Sequence, residues 1–404
     1  MERLILPAAD WRGRAGLVAL CAALGADQGD ARFVGGVVRD TLLGLSVQDI
    51  DIATRLAPET VMQRLKDSGI RAVPTGLAHG TITAVLPDGP VEVTTLRRDV
   101  STDGRHALVA FTDDWREDAA RRDFTMNALY ADPITGKLFD YFGGIDDLAA
   151  RHVRFIGDPL QRIAEDHLRI LRFFRFQARF GEAPDPAGLA ACTTRANDLM
   201  ALSRERIADE LLKLLRVAGA AAIIPVMLAN GILAPVLPEI TSADRLIRVI
   251  AQEDQAGLAP DPIRRLAALL PDDPALGETV GARLKLSKLQ RKRLILALDP
   301  TPAPHPRALA YRIGIDSAID RLLLHGPAES SIAQVRLIAS WSLPALPLSG
   351  GALVSRGIDR GPDVARTLRQ IEDQWVAEDF PDQARLAAIV DAAVDQALRA
   401  TKNA

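Results

Sequence analysis

Residues 33–54, FVGGVVRDTLLGLSVQDIDIAT, decide how the rest of the chain is read. The apolar run from Ala31 to Val34 is fit for a buried strand. Gly35 and Gly36 follow it, and glycine lets the backbone turn sharply and approach a ligand closely. Val37 to Leu43 reads as a short helix with Arg39 in its first turn. A helix start offers unpaired N–H groups and a positive dipole end, which suit a phosphate. Gly44 is placed to stop that helix. Asp49-Ile50-Asp51-Ile52 then alternates, so in a strand two carboxylates share one face and two isoleucines the other. Paired carboxylates repel unless a cation lies between them, and Mg²⁺ takes a few carboxylates together with substrate phosphates. A lone Gly-Gly turn is common, and a lone Asp-x-Asp is more often a solvated strand face. Cradle, arginine and paired acids in this order are far more specific and point to phosphoryl or nucleotidyl transfer.

Upstream, residues 10–28 read as a helix carrying Leu17, Leu20, Cys21 and Leu24 at helical spacing. Downstream, Pro58 opens a second helix that Gly69 closes. Thr81 to Leu86 and Val91 to Leu96 read as strands joined through Pro87, Asp88 and Gly89. Glu92 faces away from Val91 and Val93, so it can join Asp49 and Asp51 as a third carboxylate. Residues 97–118 are polar, without periodicity, and read as a loop. In RRDFTMNAL, residues 121–129, two arginines precede a short helical pattern; they offer a second phosphate site, or else a solvated helix start capped by Asp123.

From Pro159 onward strands disappear. EDHLRILRFFRF, residues 165–176, reads as one helix on which Asp166, Arg169 and Arg172 are neighbours at three-residue spacing. Such ladders are usually surface ion pairs. The functional alternative is a base reader, because an arginine fork and a carboxylate together mimic a Watson–Crick partner. On an ideal helix Arg175 falls on the side opposite Asp166. Another helix follows Ser203, and KLSKLQRKR (residues 285–293) is the densest basic stretch, a solvated face or else the best candidate for RNA backbone contact.

Length and composition bound these readings. At ~150 residues per domain, 404 residues make two to four domains. The net charge is −3, so an RNA partner needs a local basic surface. Cys21 and Cys192 have no ligand spacing and fit buried thiols in a reducing compartment. There is no signal-peptide pattern and no apolar run of ~18 residues, so a cytoplasmic protein without a membrane span is expected.

The motifs together resemble those of the class II tRNA nucleotidyltransferases, the bacterial and eukaryotic CCA-adding enzymes and their poly(A) polymerase relatives. GGVVRDTLLGLSVQDIDIAT, RRDFTMNAL, FDYFGGIDDL, EDHLRILRFFRF and SRERIADELLKLL resemble successive family motifs in order. The resemblance implies an α+β protein. A polymerase-β-like head with a small mixed sheet (1–145) would precede a helical neck (146–217), body (218–330) and tRNA-binding tail (331–404). It implies template-independent addition of C, C and A from CTP and ATP to the tRNA 3′ end by two-metal nucleotidyl transfer. Asp49, Asp51 and Glu92 would be the catalytic, Mg²⁺-holding carboxylates. Gly35, Gly36, Arg39 and Arg122 would meet the triphosphate, Asp166 and Arg169 the base, with Glu165 orienting Arg169 and with Arg172 and Arg175 completing the nucleotide site. The loop at 97–118 stands where the family has its flexible loop. No His-Asp dipeptide occurs, so an appended His-Asp phosphohydrolase domain is not expected.

The rivals are a poly(A) polymerase, a CC- or A-adding enzyme, and an inactive RNA-binding scaffold. The acidic balance and the plain ending ALRATKNA argue against the first, the full-length loop against a CC-adding enzyme, and the intact acids and Arg39 against the third.

Overall fold

Leu17, Leu20, Cys21 and Leu24 are buried together. The helix that carries the first three, α1 (Leu17–Ala23), with Leu24 as its C-cap, is shorter than expected because Gly16 and Gly25 bracket it with φ of 83° and 73°. The structure, a computed structural model, describes residues 4–102, 107–302, 305–359 and 361–402. The chain divides into two units, Met1–Pro238 and Glu239–Ala404.

In the first unit, β1 (Ala31–Val34) leads through Gly35 into α2 (Gly36–Leu42). β2 (Asp51–Thr54), α3 (Pro58–Asp67), β3 (Arg71–Gly76), β4 (Thr81–Leu86) and β5 (Gly89–Thr95) follow. After them come β6 (Arg97–Thr102), β7 (Ala107–Phe111), α4 (Trp115–Ala120), β8 (Leu129–Ala131), β9 (Leu138–Asp140) and α5 (Gly144–Ala149). Seven strands form a mixed sheet in the order β3-β4-β5-β2-β1-β8-β9. Its one parallel pair, β2 with β5, sets Asp51 beside Glu92 and Ile52 beside Val93. Ile50, Ile52, Val91 and Val93 are all buried, so the acids take the opposite face. β3 escapes a search for apolar alternation because all six of its residues are exposed or half-buried.

Residues 97–118 are not a featureless loop. β6 and β7 pair as a separate antiparallel ribbon, and Asp114 caps α4 by accepting from the Arg116 N–H. An isolated ribbon closes its hydrogen bonds locally and needs no apolar stripe to mark it. Asp103 to His106 lie outside the described residues.

Helices alone complete the unit: α6 (Pro159–Glu165), α7 (Arg169–Phe180), α8 (Pro186–Thr194), α9 (Arg204–Arg216) and α10 (Ala220–Ala229). The expected single helix over 165–176 is broken, since Asp166 is extended at φ −150°, ψ 106°. Buried rings join these helices to the sheet. Phe124 stands 4.9 Å from Phe155 and 5.2 Å from Phe176, and Phe155 stacks on Phe173 at 5.5 Å.

The second unit is helical throughout its described residues. It runs α11 (Asp244–Ala256), α12 (Pro262–Ala267), α13 (Pro274–Arg283), α14 (Lys288–Ala297) and α15 (Pro306–Ile313). It continues with α16 (Ile315–His325), α17 (Ala328–Ala339), α18 (Gly350–Val354), α19 (Pro362–Ala377) and α20 (Gln383–Lys402). Asp261, Asp273 and Ser287 cap three of them through side-chain oxygens. Inside the unit, Glu253 binds Arg264 and Arg265, each at 2.7 Å, and Asp320 binds Arg264 at 2.8 Å and Arg293 at 2.6 Å. Both acids are fully buried. This alters the reading of 285–293 as an RNA surface. Arg293 is consumed by Asp320 and Asp261, and Arg291 pairs with Glu278. No described helix is long and apolar enough to cross a membrane.

Candidate active site

Gly35 occupies φ 72°, ψ −121°, a backbone state closed to side chains. A Cβ there would also stand 3.4 Å from Arg122 Nη1 and 3.5 Å from the Asn127 carbonyl. One turn into α2, Arg39 is buried yet reaches the cleft. Its Nε donates to Asp40 at 2.8 Å and its Nη1 to Asn127 Oδ1 at 2.5 Å, with the guanidinium 4.4 Å from the Phe180 ring centre. Such fixing removes most of the rotamer entropy a free arginine would lose on binding.

Asp49 and Asp51 line the same cleft of about 710 Å³. Burial, the neighbouring Glu92 and then Asp49 push the Asp51 carboxyl up to about 6, against the pull of Arg122. That unrelieved repulsion, on hard oxygen donors, fits a divalent cation. Among the described residues no three acidic, histidine or cysteine side chains are grouped to hold a metal ion, Asp49, Asp51 and Glu92 included; a cation at the two aspartates would take its remaining ligands from substrate phosphate oxygens.

The arginines opposite are held from behind by acids. Asp118, almost fully buried, accepts from Arg121 Nε at 2.9 Å, Arg122 Nη2 at 3.1 Å and the Tyr130 hydroxyl at 2.7 Å. Burial alone would raise its carboxyl, but Arg122 and Arg121 bring it well below the usual range. Asp123 does not cap a helix as one reading expected, because the chain from 125 makes only a short turn before β8. It accepts instead from Arg172 Nε at 2.8 Å and Nη2 at 2.5 Å and from Asn127 at 3.0 Å. Glu210 on α9 takes Arg175 at 2.6 Å.

The break after Glu165 rearranges the predicted ladder. Asp166 does not stack on Arg169. Both its oxygens accept from Arg206 Nη2 of α9, each at 3.0 Å. Arg169 donates to Glu165 at 2.7 Å and to the Arg162 and Arg121 carbonyls at 3.0 and 2.9 Å. Arg175, assigned to the far side on an unbroken helix, lines the same cleft as Asp166, because the helix phase restarts at Arg169.

The cleft thus gathers Gly35, Gly36, Arg39, Asp49, Asp51, Arg122, Asp166, Arg169, Arg172 and Arg175. Glu92 sits beside Asp51 on the next strand, and Glu165 stands behind Arg169. Arg121, read with Arg122 as a second phosphate site, also lines the cleft, whereas sequence reasoning missed Arg97, Asn127, Phe176 and Arg206 as lining residues. For Arg121 and Arg122 a signal existed, since Asp118 precedes them by three and four residues on a helical stretch. For Arg206 there was none, because its partner lies forty residues away.

Paired acids on a small mixed sheet, facing a wall of braced arginines, define a nucleotidyltransferase. Comparison with known proteins narrows the class. Residues 31–154 match the profile described as the poly A polymerase head domain, and residues 183–244 the probable RNA and SrmB-binding site of polymerase A. The human mitochondrial CCA tRNA nucleotidyltransferase 1 is 38% identical over 86% of this chain and 82% of its own length. The CCA-adding enzyme of Levilactobacillus brevis is 32% identical over 90% of this chain and 94% of its own. The crystal structure of the Bacillus stearothermophilus CCA-adding enzyme in complex with CTP aligns with a TM-score of 0.75 at 28% identity, covering 96% of this chain and 98% of that one. The chain belongs to the CCA tRNA nucleotidyltransferase family. Enzymes of this class work with a divalent cation.

Proposed function

We propose that this chain adds C, C and A to the 3′ end of tRNA from CTP and ATP, with the cleft residues in specific roles. The observation that carries the reading is the meeting of Asp166 and Arg169 with Asp49 and Asp51 in one arginine-lined cleft. Asp49 and Asp51, with Glu92 beside them, would hold Mg²⁺. When bound, Mg²⁺ supplies charge neutralisation at the transferring phosphate and a lowered pKa for the attacking hydroxyl. Arg39, Arg122, Arg172 and Arg175 neutralise the triphosphate, and their acid partners keep them positioned before it arrives. Asp166 accepts from the exocyclic amine of cytosine or adenine, and Arg169, oriented by Glu165, donates to the ring acceptors. Uracil and guanine present a carbonyl where the amine should be and are rejected. We further propose that residues 331–404 contribute to tRNA binding. The unpaired, buried Cys21 and Cys192 support a reducing compartment, which we take to be the cytoplasm.

The test is direct. Incubated with Mg²⁺ and tRNA lacking its 3′ end, the protein should extend the RNA by three nucleotides with CTP and ATP together and then stop. Long A tails would replace this reading with a poly(A) polymerase, and no extension would replace it with an inactive scaffold. The reader has its own test. Asp166→Ala should raise misincorporation by about ten-fold or more, a loss of ~1–3 kcal/mol of discrimination, and slow total incorporation less. Arg206→Ala should shift fidelity in the same direction, because it frees Asp166 from its two 3.0 Å contacts. Unchanged fidelity in both variants would remove Asp166 from the reader.

A further inference from the structure

Asn127 lines the cleft but is neither acid nor cation. It ends the short turn Thr125–Asn127, with its N–H on the Phe124 carbonyl at 2.9 Å and only 7% of its surface exposed. Three arginines that start from different elements converge on it. Arg39 of α2 donates Nη1 to its Oδ1 at 2.5 Å. Arg122, two residues past α4, donates Nη1 to its main-chain carbonyl at 3.4 Å. Its Nδ2 donates to Asp123 Oδ1 at 3.0 Å, and Asp123 in turn holds Arg172 of α7 through Nε at 2.8 Å. Burial pushes the Asp123 carboxyl up, but Arg172 and then the Asn127 amide bring it down to about 2, so at neutral pH it only accepts. Arginine has no acceptor and an ionised carboxylate has no donor, so a side chain set between Arg39 and Asp123 has to offer one of each. A carboxamide does so; an aspartate lacks the donor, and a leucine lacks both.

We propose that Asn127 is the positioning residue that sets the spacing of the triphosphate-binding arginines, and that it acts through them rather than on the base. The inference rests on the nucleotidyl-transfer reading above. Guanidiniums gathered in one cleft repel one another, so their spacing has to be imposed by acceptors. The acids do this pair by pair: Asp40 takes Arg39, Asp118 takes Arg121 and Arg122, and Glu210 takes Arg175. Asn127 joins separate pairs, tying Arg39 both to the Asp123–Arg172 pair and to Arg122. Being neutral, it does so without offsetting the positive charge that faces phosphate, whereas a carboxylate there would offset Arg39 a second time after Asp40. Arginines held at phosphate spacing before the ligand arrives lose less entropy on binding it. They also meet the leaving pyrophosphate without rearranging.

The test is equilibrium binding of CTP, CMP and inorganic pyrophosphate to the full-length protein with Mg²⁺ present. Asn127→Ala should weaken CTP and pyrophosphate by about ten-fold or more, and CMP, which lacks the outer phosphates, by about two-fold or less. Asn127→Asp, matched in size, keeps an acceptor for Arg39 but sets a second carboxylate against Asp123. It should lose CTP affinity in the same direction, and it decides the matter where the alanine variant fails to fold. Added to Arg39→Ala, Asn127→Ala should cost CTP affinity about three-fold or less, because one of the arginines it acts through is already gone. In turnover, KM for CTP should rise while KM for the tRNA acceptor stays within about two-fold. Three results would overturn the proposal: CTP affinity unchanged in both variants, CMP weakened as much as CTP, or a double variant whose losses simply multiply. Wild-type protein that binds CTP but extends no RNA would fail the function proposed above and leave this inference standing. Wild-type protein that binds no CTP would overturn both.

Discussion

Asp51→Ala is expected to abolish nucleotide addition, by a thousand-fold or more (~4 kcal/mol of transition-state stabilisation), while tRNA binding stays nearly intact. Asp49→Ala should behave alike. The acids face the cleft, and their flanking Ile50 and Ile52 carry the packing, so the fold does not depend on them. The stability measurement has a sign of its own. A carboxyl raised to about 6 in the folded state is disfavoured as an anion there. Its penalty is absent below the unfolded value near 4 and grows as pH rises through about 6. Asp51→Asn should therefore leave the metal-free protein as stable at neutral pH, or more so, and inactive. Retained turnover in either alanine variant would sink the metal assignment, and an unfolded Asp51→Asn would show that the acid has a structural duty.

Glu253→Gln is expected to destabilise the second unit by about 3–5 kcal/mol. Glu253 is fully buried and is the shared partner of Arg264 and Arg265. Removing its charge takes the buried carboxylate from Arg265 and one of two from Arg264, which keeps Asp320, so their desolvation in a low-dielectric interior is less fully offset. The exposed pair of Arg291 with Glu278 is the contrast, and Glu278→Gln should shift stability by ~1 kcal/mol or less. Hydrogen exchange of residues 239–404 reads both effects without assuming a single two-state transition. Equal losses in the two variants would show that burial of the cluster contributes nothing.

Much of this was legible from residue order. The strand, the glycine turn, the short helix and the alternating acids follow from local rules. Ala31–Val34 and Gly36–Leu42 stand within a residue of where those rules put them. Legibility failed where the deciding force was tertiary. The chain through Asp166 looks helical by composition and periodicity, yet it is extended there and bound to Arg206. The β6–β7 ribbon is fixed by backbone pairing, which periodicity does not report. In the basic run at 285–293, Lys285, Lys288 and Lys292 are exposed as a surface reading expects, but sequence cannot display Asp261 and Asp320 holding Arg293.

The parallel pairing of β2 with β5 also determines which kinds of genetic change the catalytic face can withstand. Asp51 meets Glu92 only through strand register, and successive side chains alternate faces. Deleting one residue between Gly89 and Val91 while the rest of β5 keeps its pairing leaves the acids where they are. Deleting one residue between Val91 and Thr95 instead turns part of the strand over, burying a charge and exposing a valine. Substitutions around the site are thus graded in their harm, whereas length changes inside these few strand residues are all-or-none. An engineer lengthening this head should insert at the Pro87–Asp88 turn, where added residues leave the pairing of β4 with β5 unshifted.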